Sequence, residues 1–138
     1  MCGIIVSYGF DDTGSRFKKI KHRGTVEQQL TSVNDIVIGH VLLAIQNTTG
    51  ISLYEDDEFV FAFNGEVYED WEGQGFGSDT AWLFNQLKTK GVEGTIRDLN
   101  SMFGFIFYNK KSDELFVARD YLGIIPLYYY TEKNLFHK

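Results

Sequence analysis

Apolar positions in this chain fall into short blocks separated by glycine and acidic residues. Residues 3–8 (GIIVSY) form a compact apolar run, which predicts a buried strand. Gly9 to Gly14 read as a loop, and 15–21 (SRFKKIK) as a short helix with Phe17 and Ile20 on one face and Ser15 as its cap. Residues 26–31 predict a weak strand. The longest apolar run, 36–45 (IVIGHVLLAI), predicts a buried strand whose Gly39 marks a bulge or a close backbone approach. Residues 51–55 and 58–63 read as two strands joined at Asp56-Asp57, with 64–77 as a glycine-rich loop. Ser78 then caps a helix carrying Trp82, Leu83 and Leu87 on one stripe, which Gly91 stops before a second short helix over 93–99. Residues 102–109 and 114–119 pair as a hairpin, and 126–131 (PLYYYT) predict a last strand. The order of elements points to an α+β fold with layered sheets.

Composition sharpens that picture. The chain has 138 residues, the size of one domain, so residues 1–138 read as a single unit. Aromatics make up 16%, with 12 Phe and 8 Tyr, which favours strands and a thick aromatic core. No run reaches the ~18 apolar residues of a membrane span, and MCGIIVSYGF lacks the basic start of a signal peptide. The net charge of −6 opposes a nucleic-acid surface, and the basic cluster Arg16, Lys18, Lys19, Lys21, His22 and Arg23 reads as a solvated helix face. A lone cysteine fits a reducing, cytoplasmic setting.

That cysteine is the second residue. If Met1 is removed, Cys2 becomes the N-terminus, and a terminal α-amine titrates near 7.7–8.0 on average, roughly neutral enough to act as a base for its own thiol. Gly3 would leave room for a substrate over that thiol; the plain alternative is a small residue opening a strand. Asn64-Gly65 offers a side-chain amide and an N–H for an oxyanion, or is simply a turn dipeptide. Asp79 can accept from a ligand ammonium group or favour a helix N-terminus. The histidines His22 and His40 have no second cysteine or closely spaced acid beside them, which argues against zinc, and loop 73–77 lacks the Lys-Ser/Thr of a phosphate loop.

Taken in order, Met1-Cys2-Gly3-Ile4, His22-Arg23-Gly24, Gly39-His40 with Leu43 and Ile45, Asn64-Gly65-Glu66-Val67-Tyr68, Ser78-Asp79-Thr80, Met102-Phe103-Gly104-Phe105, and Ala118-Arg119-Asp120 with Gly123 and Pro126-Leu127-Tyr128-Tyr129 carry a resemblance. The chain resembles the class II glutamine amidotransferase domain, most like the glutaminase domain of asparagine synthetase B, over residues 2–129. The resemblance implies an N-terminal nucleophile hydrolase fold, an αββα sandwich of two antiparallel sheets. It implies that Cys2 attacks the glutamine side-chain amide, that Asn64 and Gly65 hold the oxyanion, that Glu66 and Asp79 recognise the α-amino group, and that Leu42, Ile45 and Gln46 line the glutamine pocket. Arg119 and Asp120 match a motif that supports the site. No metal or organic cofactor is implied.

Three departures accompany the resemblance. Leu42 stands where the family carries an arginine for the substrate α-carboxylate, so weaker glutamine binding or a substrate lacking that group is expected. His22-Arg23-Gly24 runs on into Thr25-Val26 rather than Pro-Asp. The sheets are expected to be truncated, with no synthetase or ATP-binding half, so ammonia would pass to a separate synthetase. Two further readings stay open: a non-catalytic binding module on the same fold, and an N-terminal-cysteine hydrolase acting on another amide.

Overall fold

The computed structural model describes residues 2–9, 12–24, 27–43 and 53–131. Their elements are β1 (Gly3–Tyr8), α1 (Thr13–Ile20), a 3-10 turn (Lys21–Arg23), β2 (Glu27–Val33), β3 (Ile36–Leu42), β4 (Leu53–Glu55), β5 (Phe59–Val67), α2 (Asp79–Ile96), β6 (Ser101–Asn109) and β7 (Glu114–Arg119). They build two antiparallel sheets, ordered β1-β3-β2 and β4-β5-β6-β7. The fold is therefore α+β, as the sequence implies.

Strand alternation separates the faces. Ile36 and Ile38 of β3 meet Val60 and Ala62 of β5 and Ile106 and Tyr108 of β6, which forms the core between the sheets. The opposite face of the second sheet stacks Phe61, Phe63, Phe103, Phe105 and Phe107 against Trp82, Leu83, Phe84 and Leu87 of α2. These rings lie stacked or edge-on, as Phe61 does on Phe84 with centroids 5.6 Å apart. On the outside of the first sheet, Phe17 of α1 covers Gly39, where a Cβ would come within 2.6 Å of the ring. The layers run α1, first sheet, second sheet, α2. Gly39 serves the close approach its position in the apolar run suggests.

At one end of the sandwich, Asn34 donates to the buried Tyr108 hydroxyl at 2.6 Å, and that hydroxyl donates to Asp113 at 2.7 Å. The β2–β3 and β6–β7 turns are thereby tied together. The chemistry-bearing residues lie at the other end.

Four boundaries differ from the sequence reading. Helix α1 starts at Thr13 behind Asp12, and Ser15 bonds back to the Asp12 side chain from within the first turn instead of capping. Strand β5 continues through Val67, so Asn64-Gly65-Glu66 sits inside a ladder with β6 and makes no turn. Gly91 adopts φ 74°, which breaks the helix as expected, but the second piece ends by Ile96. Residues 126–131 enter no ladder, because strand propensity needs a partner edge before it becomes a strand. Ser78 does cap α2, accepting from the Ala81 N–H at 3.0 Å.

Candidate active site

Gly3 pairs with Val41, and one further step of that register sets Cys2 opposite Leu42 at the end of β3. Ile4 and Val6 point into the inter-sheet core, so Cys2 lies on that inward face, half-buried and with a free thiol. Gly3 points the other way. Its missing side chain makes room for Arg23 and Ile20, whose Cδ and Cδ1 lie 3.3 and 3.5 Å from a Cβ placed there. The space expected over the thiol is therefore not what Gly3 supplies.

Asn64 shares the inward face of β5 with Val60 and Ala62 and is buried. It pairs with Gly104, whose bare Cα lets Ile125 and Ile4 pack close, at 3.1 and 4.0 Å from a Cβ built there. The two sheets thus present Cys2 and Asn64 from facing surfaces at the same end. His40 locks this arrangement. Its Nε2 lies 2.9 Å from the Phe63 carbonyl oxygen, one residue before Asn64, and since a carbonyl only accepts, Nε2 carries the proton. Burial pushes the imidazole pKa down to about 4, against the opposing pull of that hydrogen bond, so His40 is neutral at pH 7.

The Gly65 N–H has a defined direction. Lys110 N–H donates to Glu58 O and Tyr68 N–H to Asn100 O, so the even-numbered residues of β5 turn their main-chain groups towards β6. Gly65 and its partner Phe103 then form a non-hydrogen-bonded pair. Phe103 confirms this by giving its carbonyl to the Asp120 N–H and its N–H to the Asp120 carboxylate, at 2.8 and 3.3 Å. The Gly65 N–H accordingly points to the opposite edge of β5, past Leu53, the described end of β4, which pairs with Ala62. A side chain at Gly65 would meet the Met102 carbonyl at 2.1 Å.

On that same edge the Val67 N–H donates to Asp79 Oδ2 at 3.2 Å, and Asp79 Oδ1 accepts from the Thr80 N–H at 2.6 Å. Asp79 opens α2, half-buried, and ties it to β5 beside the exposed Glu66. The structure therefore brings together Cys2, Leu42, Asn64, Gly65, Glu66 and Asp79 at one end of the sandwich. Ile45 and Gln46 lie outside the described residues. Among the described residues no group of His, Cys, Asp and Glu has the arrangement of a metal site.

Two residues do more than the sequence reading assigned them. His40 is the bolt between the sheets; its signal was a histidine inside an apolar run. Asp120 is buried and gathers the Ile124, Ile125 and Phe103 N–H groups at 2.8, 3.0 and 3.3 Å. Burial pushes its carboxyl up, but these backbone donors together hold it below the usual carboxylate range. It thereby seats Ile125 under Gly104, beside Asn64.

Comparison with known proteins identifies the family. The family model described as a glutamine amidotransferase domain matches residues 1–137. Asparagine synthetase B (glutamine-hydrolysing) of Escherichia coli is 32% identical over 121 residues, covering 79% of this chain and 22% of that protein. Asparagine synthetase 2 (glutamine-hydrolysing) of Arabidopsis thaliana is 31% identical over 147 residues, covering 93% of this chain and 25% of that protein. Asparagine synthetase 1 of Bacillus subtilis is 38% identical over 88 residues, or 56% of this chain and 14% of that protein. The chain spans roughly a quarter of the length of the curated relatives it matches. The match over nearly the whole chain, on a sandwich that collects the expected residues at one end, places this protein in the glutamine amidotransferase domain family, a family of enzyme domains.

Proposed function

We propose that the domain hydrolyses the side-chain amide of glutamine, with Cys2 as an N-terminal nucleophile once Met1 is removed. The thiol proton passes to the Cys2 α-amine as Sγ attacks the amide carbon. Asn64 and the Gly65 N–H hold the resulting oxyanion. Collapse breaks the C–N bond, the α-ammonium returns its proton to the leaving nitrogen, and ammonia departs from a glutamyl thioester. Water, deprotonated by the same amine, attacks the thioester, and glutamate leaves as the thiol is restored. The sum is glutamine plus water giving glutamate plus ammonia. Glu66 and Asp79 receive the substrate's α-ammonium group.

The observation that carries this reading is the inward facing of Cys2 and Asn64 from opposed sheets, with the Gly65 N–H turned out of its ladder on the neighbouring residue. Relatives named glutamine-hydrolysing asparagine synthetases support glutamine as the substrate and a synthetase as the consumer of ammonia. We assign the ammonia to a synthetase of the kind these relatives are named for. The test is release of glutamate and ammonia in equal amounts from glutamine by the processed protein, with none from Cys2→Ala. Equal turnover by Cys2→Ala would overturn thiol chemistry. Leu42, neutral where it faces Cys2, favours a second reading, hydrolysis of an amide lacking an α-carboxylate, which the same assay separates by substrate.

A further inference from the structure

We propose that Arg23 is the cation that holds the α-carboxylate of the substrate; this rests on glutamine being hydrolysed at the Cys2 site. Glutamine carries an ammonium and a carboxylate on one carbon. Glu66 and Asp79 bring only negative charge, and Leu42 opposite Cys2 brings none. A carboxylate taken out of water without a cation is strongly disfavoured.

Among the described residues, the cations nearest the sheets are committed or remote. Lys88, Lys110 and Lys111 are held in ion pairs by Asp56, Glu55 and Glu58, around the turn at the far end of the sandwich. Arg16 pairs with Asp12, and Arg119 gives its guanidinium to the Asp120 carbonyl at 3.2 Å. Lys18, Lys19 and Lys21 are exposed on the outer layer.

Arg23 differs in both burial and place. It is half-buried, and none of the ion pairs among the described residues includes it. Its stem runs along β1 at Gly3, the residue after Cys2, with Cβ and Cδ 3.5 and 3.3 Å from a Cβ built there. The next residue, Gly24, presses its backbone on the Leu42 carbonyl, which a Cβ would approach to 2.4 Å. The Arg23-Gly24 step therefore bridges the residue that follows Cys2 and the residue that faces it. The Arg23 stem packs on the face of β1 opposite the thiol, so its guanidinium would have to turn around the open end of β1 to reach the substrate, where its planar fork would match a carboxylate in two parallel hydrogen bonds.

The test compares glutamine with 4-aminobutanamide, which keeps the amine and the amide but lacks the carboxylate. For Arg23→Gln the expected result is a KM for glutamine raised about 10–150-fold, the range of one charged hydrogen bond, with kcat changed far less. Turnover of 4-aminobutanamide is expected to match that of the unaltered protein. Arg23→Lys keeps the charge and is expected to lose less, and adding Leu42→Arg to Arg23→Gln is expected to restore part of the preference for glutamine. Lys21→Gln removes a charge from the same turn and is expected to leave both substrates unaffected. Equal losses on both substrates, no loss on glutamine, or the same effect from Lys21→Gln would overturn the assignment. If the unaltered protein hydrolyses neither amide, it is the glutaminase reading itself that fails.

Discussion

At the scale of single residues, the site depends on donors whose positions are fixed by their neighbours. Asn64 is buried on β5 and faces the first sheet, which restricts its side chain. Asn64→Ala is expected to lower kcat about 10²–10³-fold with a small change in KM, since an oxyanion donor acts mainly in the transition state. Steady-state kinetics on glutamine check this; a loss confined to KM would make Asn64 a ground-state contact. His40 makes a different prediction. Its pKa is about 4 in the fold and about 6.5 in the unfolded chain, so the unfolded state binds more protons between those values. Stability should therefore be complete above about pH 6.5 and fall by about 3 kcal/mol as pH drops to 4. Denaturant unfolding across that range, repeated with His40→Gln, should show the dependence flattening in the variant; an unchanged slope would remove His40 from the account.

How far these residues were legible in the sequence differs from one to the next. Cys2, Asn64, Gly65 and Asp79 each had a plain structural reading of its own, and only the ordered set of motifs, with the resemblance it carries, singled them out. Asn64-Gly65 nevertheless read locally as the end of a strand, because that dipeptide usually turns. Only the pairing with Gly104 and Phe103 reveals that the strand continues and that the Gly65 N–H leaves the ladder. The inter-sheet role of His40 depends on a contact with Phe63, 23 residues away, which no local pattern encodes. Gly3 was misread for the same reason: which face a strand residue occupies is set by the partner sheet.

At the scale of elements, the turn after β7 supports the site. Asp120 closes it by accepting from three backbone N–H groups, and so holds Ile125 against Gly104. Asp120→Ala leaves those donors unsatisfied in a buried place, and a destabilisation of about 2–4 kcal/mol is expected, together with reduced turnover. Because the carboxyl is held below its usual range, its contribution is present at neutral pH and lost as the solution is acidified, the same sign as for His40. Thermal unfolding of Asp120→Ala checks the size; a change below about 0.5 kcal/mol would mean the turn holds by packing alone. Elements themselves were largely legible, since apolar runs and caps are local: β1, β3, β6, β7 and the start of α2 follow from them. The 126–131 segment was not, since PLYYYT has strand propensity but lies beside β1 without pairing.

At the scale of the molecule, three strands face four. The inward residues Leu115 and Val117 of β7 border a groove of about 380 Å³ shared with Ile4, Val6 and Tyr128–Tyr130. Tyr128 and Tyr129 are about nine-tenths exposed beside it. The sandwich was legible as two sheets between helices; its asymmetry was legible only as the expectation of shortened sheets. What the layers achieve is placement: α1 and α2 press the sheets from outside, His40 and the Ile36–Tyr108 core join them inside, and Cys2, Asn64 and Gly65, the proposed nucleophile and oxyanion donors, lie at the same end.

The most direct test of that placement is the intact mass of the protein before and after exposure to a diazoketone analogue of glutamine, which alkylates a nucleophile seated in the amide pocket. The expected result is a chain lacking Met1 that gains a single adduct, protected by excess glutamine and absent in Cys2→Ala. A chain that retains Met1, or a free Cys2 that stays unlabelled, would contradict N-terminal thiol catalysis.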